Sequence, residues 1–287
     1  MSEPFKRLRP WIPVEKLNWS NLSLNPNAIH LLDKYLKNID WELLSFNPNA
    51  IELLKKNINK IYWPHLSENP KAIHAFELEL EKNENKINWF YLSSNPSAIR
   101  LLEQNMDKIY VPNLCSNPNA IHLIKKAMID CPEEINWFRI AGNPAAIPIL
   151  KRNPERIIWD LLCSNPNAID LISEALKKQP HKLCWYHLSS NPAAIQLISK
   201  ALEQTPDKIN WSGLSENPAA IHLLEQYQDK VDWDALSKNP AIFVYDYEAM
   251  RNHFRPILQG VIQNRFHPKN IKYFAGWGHI DIDDDFE

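Results

Sequence analysis

The feature that most constrains this chain is the dipeptide Asn-Pro, which recurs with its Asn at 25, 47, 69, 95, 117, 143, 165, 191, 217 and 239. The intervals are 22 or 26 residues throughout. Self-similarity at so short a period means stacked units, because one unit of that size cannot bury its own apolar face. Every departure from 22 is an insertion of four residues, close to one turn of an α-helix at about 3.6 residues. An added helical turn leaves the flanking faces nearly in phase, so the intervals themselves argue for helices.

Positions fixed relative to the Asn divide each unit into two helices. Six residues before it stands Trp, replaced once by Val111, and three before it stands Leu, replaced once by Ile140. A spacing of three places both on one helical face. Asn18, Asp40, Asn88, Asn136, Asn210 and Asp232 directly precede the Trp or its equivalent, and such side chains accept hydrogen bonds from the free N–H groups of a first turn. At Asn-Pro a second helix is predicted to begin, with Asn as its cap and Pro at its first position. Pro also biases the Asn away from helical angles, ending the first helix there. Ala220, Ile221, Leu223 and Leu224 illustrate the apolar stripe that follows. Asn57, Asn105 and Asn153 are expected to stop second helices in a left-handed conformation.

The expected fold is all-α: a solenoid of about ten short helical-hairpin repeats with N- and C-terminal caps. A leucine-rich horseshoe shares the period of 22, but its strand needs an apolar residue five before the Asn. Here that place holds residues such as Ser20, Glu42, Asp160 and Asp234. The organisation reads as an N-terminal cap over 1–17, repeats over 18–242, a helical cap over 243–280 and an acidic tail over 281–287. At the usual helix spacing, an open row of ten units would trace an arc of about 90 Å.

Composition narrows the function. Only 5 Gly are present, with neither a G-x-G-x-x-G nor a G-K-S/T loop, which argues against the common nucleotide-binding enzymes. The net charge of −2 gives no bulk attraction to nucleic acid or anionic membrane. No secretory segment and no membrane-spanning run is legible, so an intracellular chain is expected. The 4 Cys show no C-x-x-C pairing and read as free thiols.

Candidate chemistry is sparse. Ser215 and His222 suggest a nucleophile and base, yet Cys115, Ala141 and Cys163 occupy the Ser place in other units. No acid stands at a fixed place to orient the imidazole, so catalysis is not expected. His30, His74, His122 and His222 share a variable position, and no two of them lie in adjacent units. Neither a metal nor a cofactor is expected, since zinc ligands must lie about 2 Å from the ion. The Trp ladder invites comparison with base-stacking platforms, but its phase assigns it to packing between helices. The variable pairs after the Trp are more informative: Phe90-Tyr91, Phe138-Arg139 and Tyr186-His187. Exposed aromatics and Arg favour protein-binding hot spots. The competing reading is that these rings cover the added turn of the lengthened unit before them.

The pattern W-x-x-L-S-x-N-P-x-A-I-x-L-L, the opening "WIPVEKLNW" and the closing "FHPKNIKYF…DIDDD" resemble the repeat proteins encoded in many copies by giant DNA viruses such as the mimivirus relatives. The resemblance covers about residues 8–285 and implies origin and architecture; it implies no activity. With it, the expected role is a non-enzymatic scaffold that binds a protein partner, in host cytoplasm, virus factory or virion. The alternatives are a sequence-tolerant nucleic-acid binder using aligned basic residues on a concave face, and a structural protein of the virion.

Overall fold

The computed structural model describes residues 5–75 and 84–265. The acidic tail at 281–287 and the later part of the expected C-terminal cap lie outside the described residues. The chain is an all-α array of ten units, numbered here by their Asn. Each first helix starts at the Trp, or at Val111 in unit 5, and runs four to six residues, as in Trp211–Glu216. All six Asn and Asp residues expected as its caps accept the N–H three residues on; Asn210 Oδ1, for example, takes it from Gly213 at 2.7 Å. An apolar residue two before each Trp packs behind the cap, buried at Ile39, Ile135 and Ile209 and partly buried at Ile87, Ile157 and Val231.

The start of the second helix differs from expectation. Asn-Pro opens a separate tight turn, which is a 3-10 helix at Pro144–Ala146 and Pro218–Ala220, and in eight units the α-helix begins only at the Ile, as in Ile221–Gln226. The Asn still caps, since Asn217 Oδ1 accepts from Ala219 N at 3.0 Å, but it caps that turn. Between them the Ala is fully buried, as at Ala28, Ala120 and Ala220, which explains why nothing larger than Ala stands there before Ile242.

Three of the four four-residue insertions lie in second helices, and the fourth, in unit 3, falls outside the described residues. Ile121–Asp130, Ile169–Lys178 and Ile195–Gln204 have ten residues where Ile51–Lys56 and Ile99–Gln104 have six. Their ends do not use left-handed backbone. Asn57, Asn105 and Asn153 sit at φ −128°, −135° and −131°, and each side-chain amide donates to the carbonyl four residues back at 2.8–3.0 Å. Because φ is negative, Cys131, Gln179 and Thr205 adopt the same stop in the lengthened units.

The expected open arc is not what forms. Unit 10 packs on unit 1 as each unit packs on the next, and the repeats close into a ring. Asn18 N donates to Ser237 Oγ at 2.8 Å, and Asn25 Nδ2 donates to the carbonyls of Ser237 at 3.0 Å and Asn239 at 2.9 Å. Within the array the same bonds recur: Asp40 N to Ser23 Oγ, and Asn47 Nδ2 to the carbonyls of Ser23 and Asn25. Asn27 Nδ2 reaches Pro240 O at 2.8 Å just as Asn49 Nδ2 reaches Pro26 O at 2.9 Å. Arg9 seals the seam, its backbone N and side-chain Nε donating to the carbonyls of Ile242 and Ala241, each at 2.9 Å.

Among the described residues, those from Leu8 to Val244 form one compact unit, and Phe5–Arg7 with Tyr245–Arg265 form another. Two three-residue strands, β1 (Lys6–Leu8) and β2 (Phe243–Tyr245), pair. In the second unit the Phe5 ring lies 5.1 Å from His253 and 5.7 Å from Phe254, on the helix Tyr247–Arg265. No described helix is long and apolar enough to cross a membrane.

Candidate functional site

The Asn of each Asn-Pro is buried, and its side-chain amide joins two units. All ten Nδ2 groups donate two hydrogen bonds to the preceding unit, one to the carbonyl two residues before that unit's Asn and one to the Asn carbonyl itself. Ser215, examined in the sequence as a nucleophile, belongs to the same network. Its hydroxyl donates to Trp211 O at 2.7 Å and accepts from Asp232 N at 3.1 Å, while it is itself buried. Cys115 and Cys163 keep the acceptor role towards Asn136 and Cys184, and burial, the largest influence, pushes the Cys163 thiol up to about 11. These residues are framework.

The Trp side chains are half-buried against the core. Over six of them lies a cation from the next unit, as with Lys86 over Trp63 at 4.3 Å, Lys208 over Trp185 at 5.6 Å and, across the seam, Lys16 over Trp233 at 4.7 Å. A basic residue three before the Trp position occurs in eight of the ten units, a regularity the sequence reading passed over. In five of those eight units the residue before it is acidic, so this girdle alternates in sign.

First helices of neighbouring units pack on one another at most joints, that between units 10 and 1 included. The Phe46 ring of unit 2 stacks on His65 of unit 3 at 3.8 Å and still lies within 6.2 Å of Tyr91 in unit 4. Along a flat row, helices two places apart would be about 16–20 Å from each other, so these side chains converge on a narrow concave face. At Gly213 the backbones approach closely, and a Cβ there would meet Tyr186 O at 2.6 Å. Elsewhere side chains bridge the same gap: Asn113 Nδ2 donates to Phe90 O at 2.7 Å and Asn21 Nδ2 to Asp234 O at 2.8 Å.

All six residues of the variable pairs lie on this face. Phe90, Phe138 and Tyr186 are 42%, 58% and 54% exposed, and Tyr91, Arg139 and His187 are half-buried. Phe90 packs on Tyr91 at 5.1 Å and Tyr110 at 4.9 Å, and Tyr186 on His187 at 5.1 Å. The pairs of units 6 and 8 are not in ring contact with that cluster among the described residues. Phe46, His65 and Tyr110 extend the aromatic run to neighbouring units, which the sequence did not signal because they occupy three different repeat positions. Burial, the largest influence, pushes the Glu68 carboxyl of unit 3 up, while Ser94, Arg139 and His65 offset part of that effect.

His74, His122 and His222 are exposed, His122 pairing with Glu103 at 2.9 Å; His30 is half-buried with its ring 5.3 Å from Phe243. Among the described residues no three His, Cys, Asp or Glu side chains converge to hold a metal ion. No protein-family model matches this chain, and neither a curated protein nor a solved structure matches it.

Proposed function

We propose that this protein is a non-enzymatic, ring-shaped scaffold whose concave first-helix face binds a protein partner. The observation that carries the reading is the division of labour within each unit. Residues that repeat make the buried bonds between units, whereas the residues that vary, Phe90, Phe138 and Tyr186 among them, stand exposed on the face those bonds hold rigid. Large rings presented on a preorganised frame lose little entropy on binding. The sequence resemblance supports an origin in a giant-virus repeat family, with action in the host cytoplasm, the virus factory or the virion. Nucleic acid fits less well, because the aligned cations lie over Trp rings and alternate with acids.

Capture of partners from infected-cell lysate by the purified protein, with and without nuclease, tests the reading. Proteins retained after nuclease treatment are expected. Loss of every partner with nuclease, together with steep weakening by salt, would replace it with the nucleic-acid reading.

A further inference from the structure

The residue five before each Asn sits on the exposed side of the first helix, away from the buried Leu that follows two places later. Around the ring this position has a marked chemistry. Three of its ten residues are aromatic (Phe90, Phe138, Tyr186), three are acidic (Glu42, Asp160, Asp234), the rest are Ser or Pro, and none is basic.

Phe138, Asp160 and Tyr186 fall in consecutive units, so an acid stands between two exposed rings. Asp160 is exposed and its carboxylate has no hydrogen-bond or ion-pair partner among the described residues. Asp234 accepts only from the neutral Asn18 Nδ2 at 3.0 Å. Glu42 lies 3.8 Å from His65. On the same face Lys238 is held by Glu216 at 2.8 Å, leaving Arg139 as its other permanent cation among the described residues. Acids therefore outnumber cations, and one of the acids at this position, Asp160, falls between two aromatic units.

We infer that this ring of residues binds a basic peptide segment of a protein partner, with Lys or Arg side chains seated on Phe138 and Tyr186 and their charge met by Asp160. The chemistry follows from the pairing: a ring face attracts a cation through its quadrupole, and an adjacent carboxylate adds charge and hydrogen bonding that suits a guanidinium. An anionic partner would meet three carboxylates at this position and no cation. The inference rests on the protein-binding reading above and narrows its partner.

The test is fluorescence anisotropy with a labelled peptide of four Arg alternating with Gly, against a length-matched Glu-Gly peptide and a labelled single-stranded oligonucleotide. The Arg peptide alone is expected to bind. Phe138→Ala/Tyr186→Ala should weaken it about tenfold and Asp160→Asn roughly fivefold, with melting temperatures unchanged. Phe138→Leu/Tyr186→Leu keeps apolar bulk and removes the π face, and should weaken binding as the Ala pair does. Glu174→Gln, an acid on a second helix paired with Lys178, should leave it unchanged. Equal affinity for wild type and the Ala pair, an equal loss in Glu174→Gln, or tighter binding of the oligonucleotide would overturn the inference. If lysate partners persist on the Ala pair, the scaffold reading stands and this site falls.

Discussion

Replacing Asn25 by Asp tests the closure of the ring directly. The Asp keeps the oxygen that caps Asn27 N at 3.0 Å, so the turn survives. It loses both Nδ2 bonds, to Ser237 O at 3.0 Å and Asn239 O at 2.9 Å, and sets a carboxylate at a buried place against two carbonyl oxygens. Two lost bonds cost about 1 kcal/mol each, and an uncompensated buried charge adds about 3 kcal/mol or neutralises at a similar cost. The total of about 5 kcal/mol should lower the melting temperature by roughly 10–20 °C, at about 2–4 °C per kcal/mol for a domain of this size. Asn165→Asp, which loses bonds to Ala141 O at 2.9 Å and Asn143 O at 3.1 Å, should fall equally far. Asn210→Asp is the control, since it caps a first helix where other units already carry Asp40 and Asp232; it should change stability by less than about 1 kcal/mol. Circular dichroism melts and guanidinium titrations of the three variants decide the matter. In an open array Asn25 has no preceding unit to lose, so a variant there as mild as Asn210→Asp would refute closure.

Ser215→Ala removes the bonds to Trp211 O and from Asp232 N and should cost about 1–2 kcal/mol in denaturant titration, with Ser215→Cys intermediate because Cys115 and Cys163 serve as acceptors. Glu68 has a raised folded pKa, so folding loses stability as pH rises past its ordinary 4.5. Glu68→Gln should therefore melt no differently at pH 4 but up to about 2 °C higher at pH 8, the effect being small because the group is partly solvated; a lower melting point at pH 8 would contradict that sign. Deleting residues 125–128, one turn of the helix Ile121–Asp130, should leave a folded ring less stable by about 1–3 kcal/mol, whereas deleting 125–126 turns the following stripe about 200° out of phase and should abolish cooperative melting.

Much of this fold was legible because the chain repeats itself. Two helices per unit, the six caps from Asn18 to Asp232 and the one-turn insertions followed from spacing alone. The role of the Asn in Asn-Pro did not, because a cap uses only the side-chain oxygen. The missed signal was internal: the first-helix cap alternates Asn with Asp, as in Asn18 and Asp40, while the Asn before Pro is Asn in all ten units. A place that accepts Asn and refuses Asp needs the amide as a donor. Closure was hidden for another reason. Small rotations between neighbours must sum to a full circle, and no residue encodes that sum, although Arg9 and Ile242 lock it once the ends meet. The variable pairs were legible as positions, but their convergence on a concave face, shown by Phe46 and Tyr91, depends on the same sum.

A ring also fixes how many units the chain can hold. Ten interfaces share a full turn, about 36° each, and an eleventh unit would demand about 33° from every one of them. Linear solenoids gain and lose copies at little structural cost. Here the side-chain amide bonds of the Asn network, held at 2.8–3.1 Å in every joint, tolerate a longer helix within a unit but resist a change in the tally of units. Variation in this molecule is therefore channelled into helix length and side chains, and duplication, the usual way repeat proteins diversify, is closed to it.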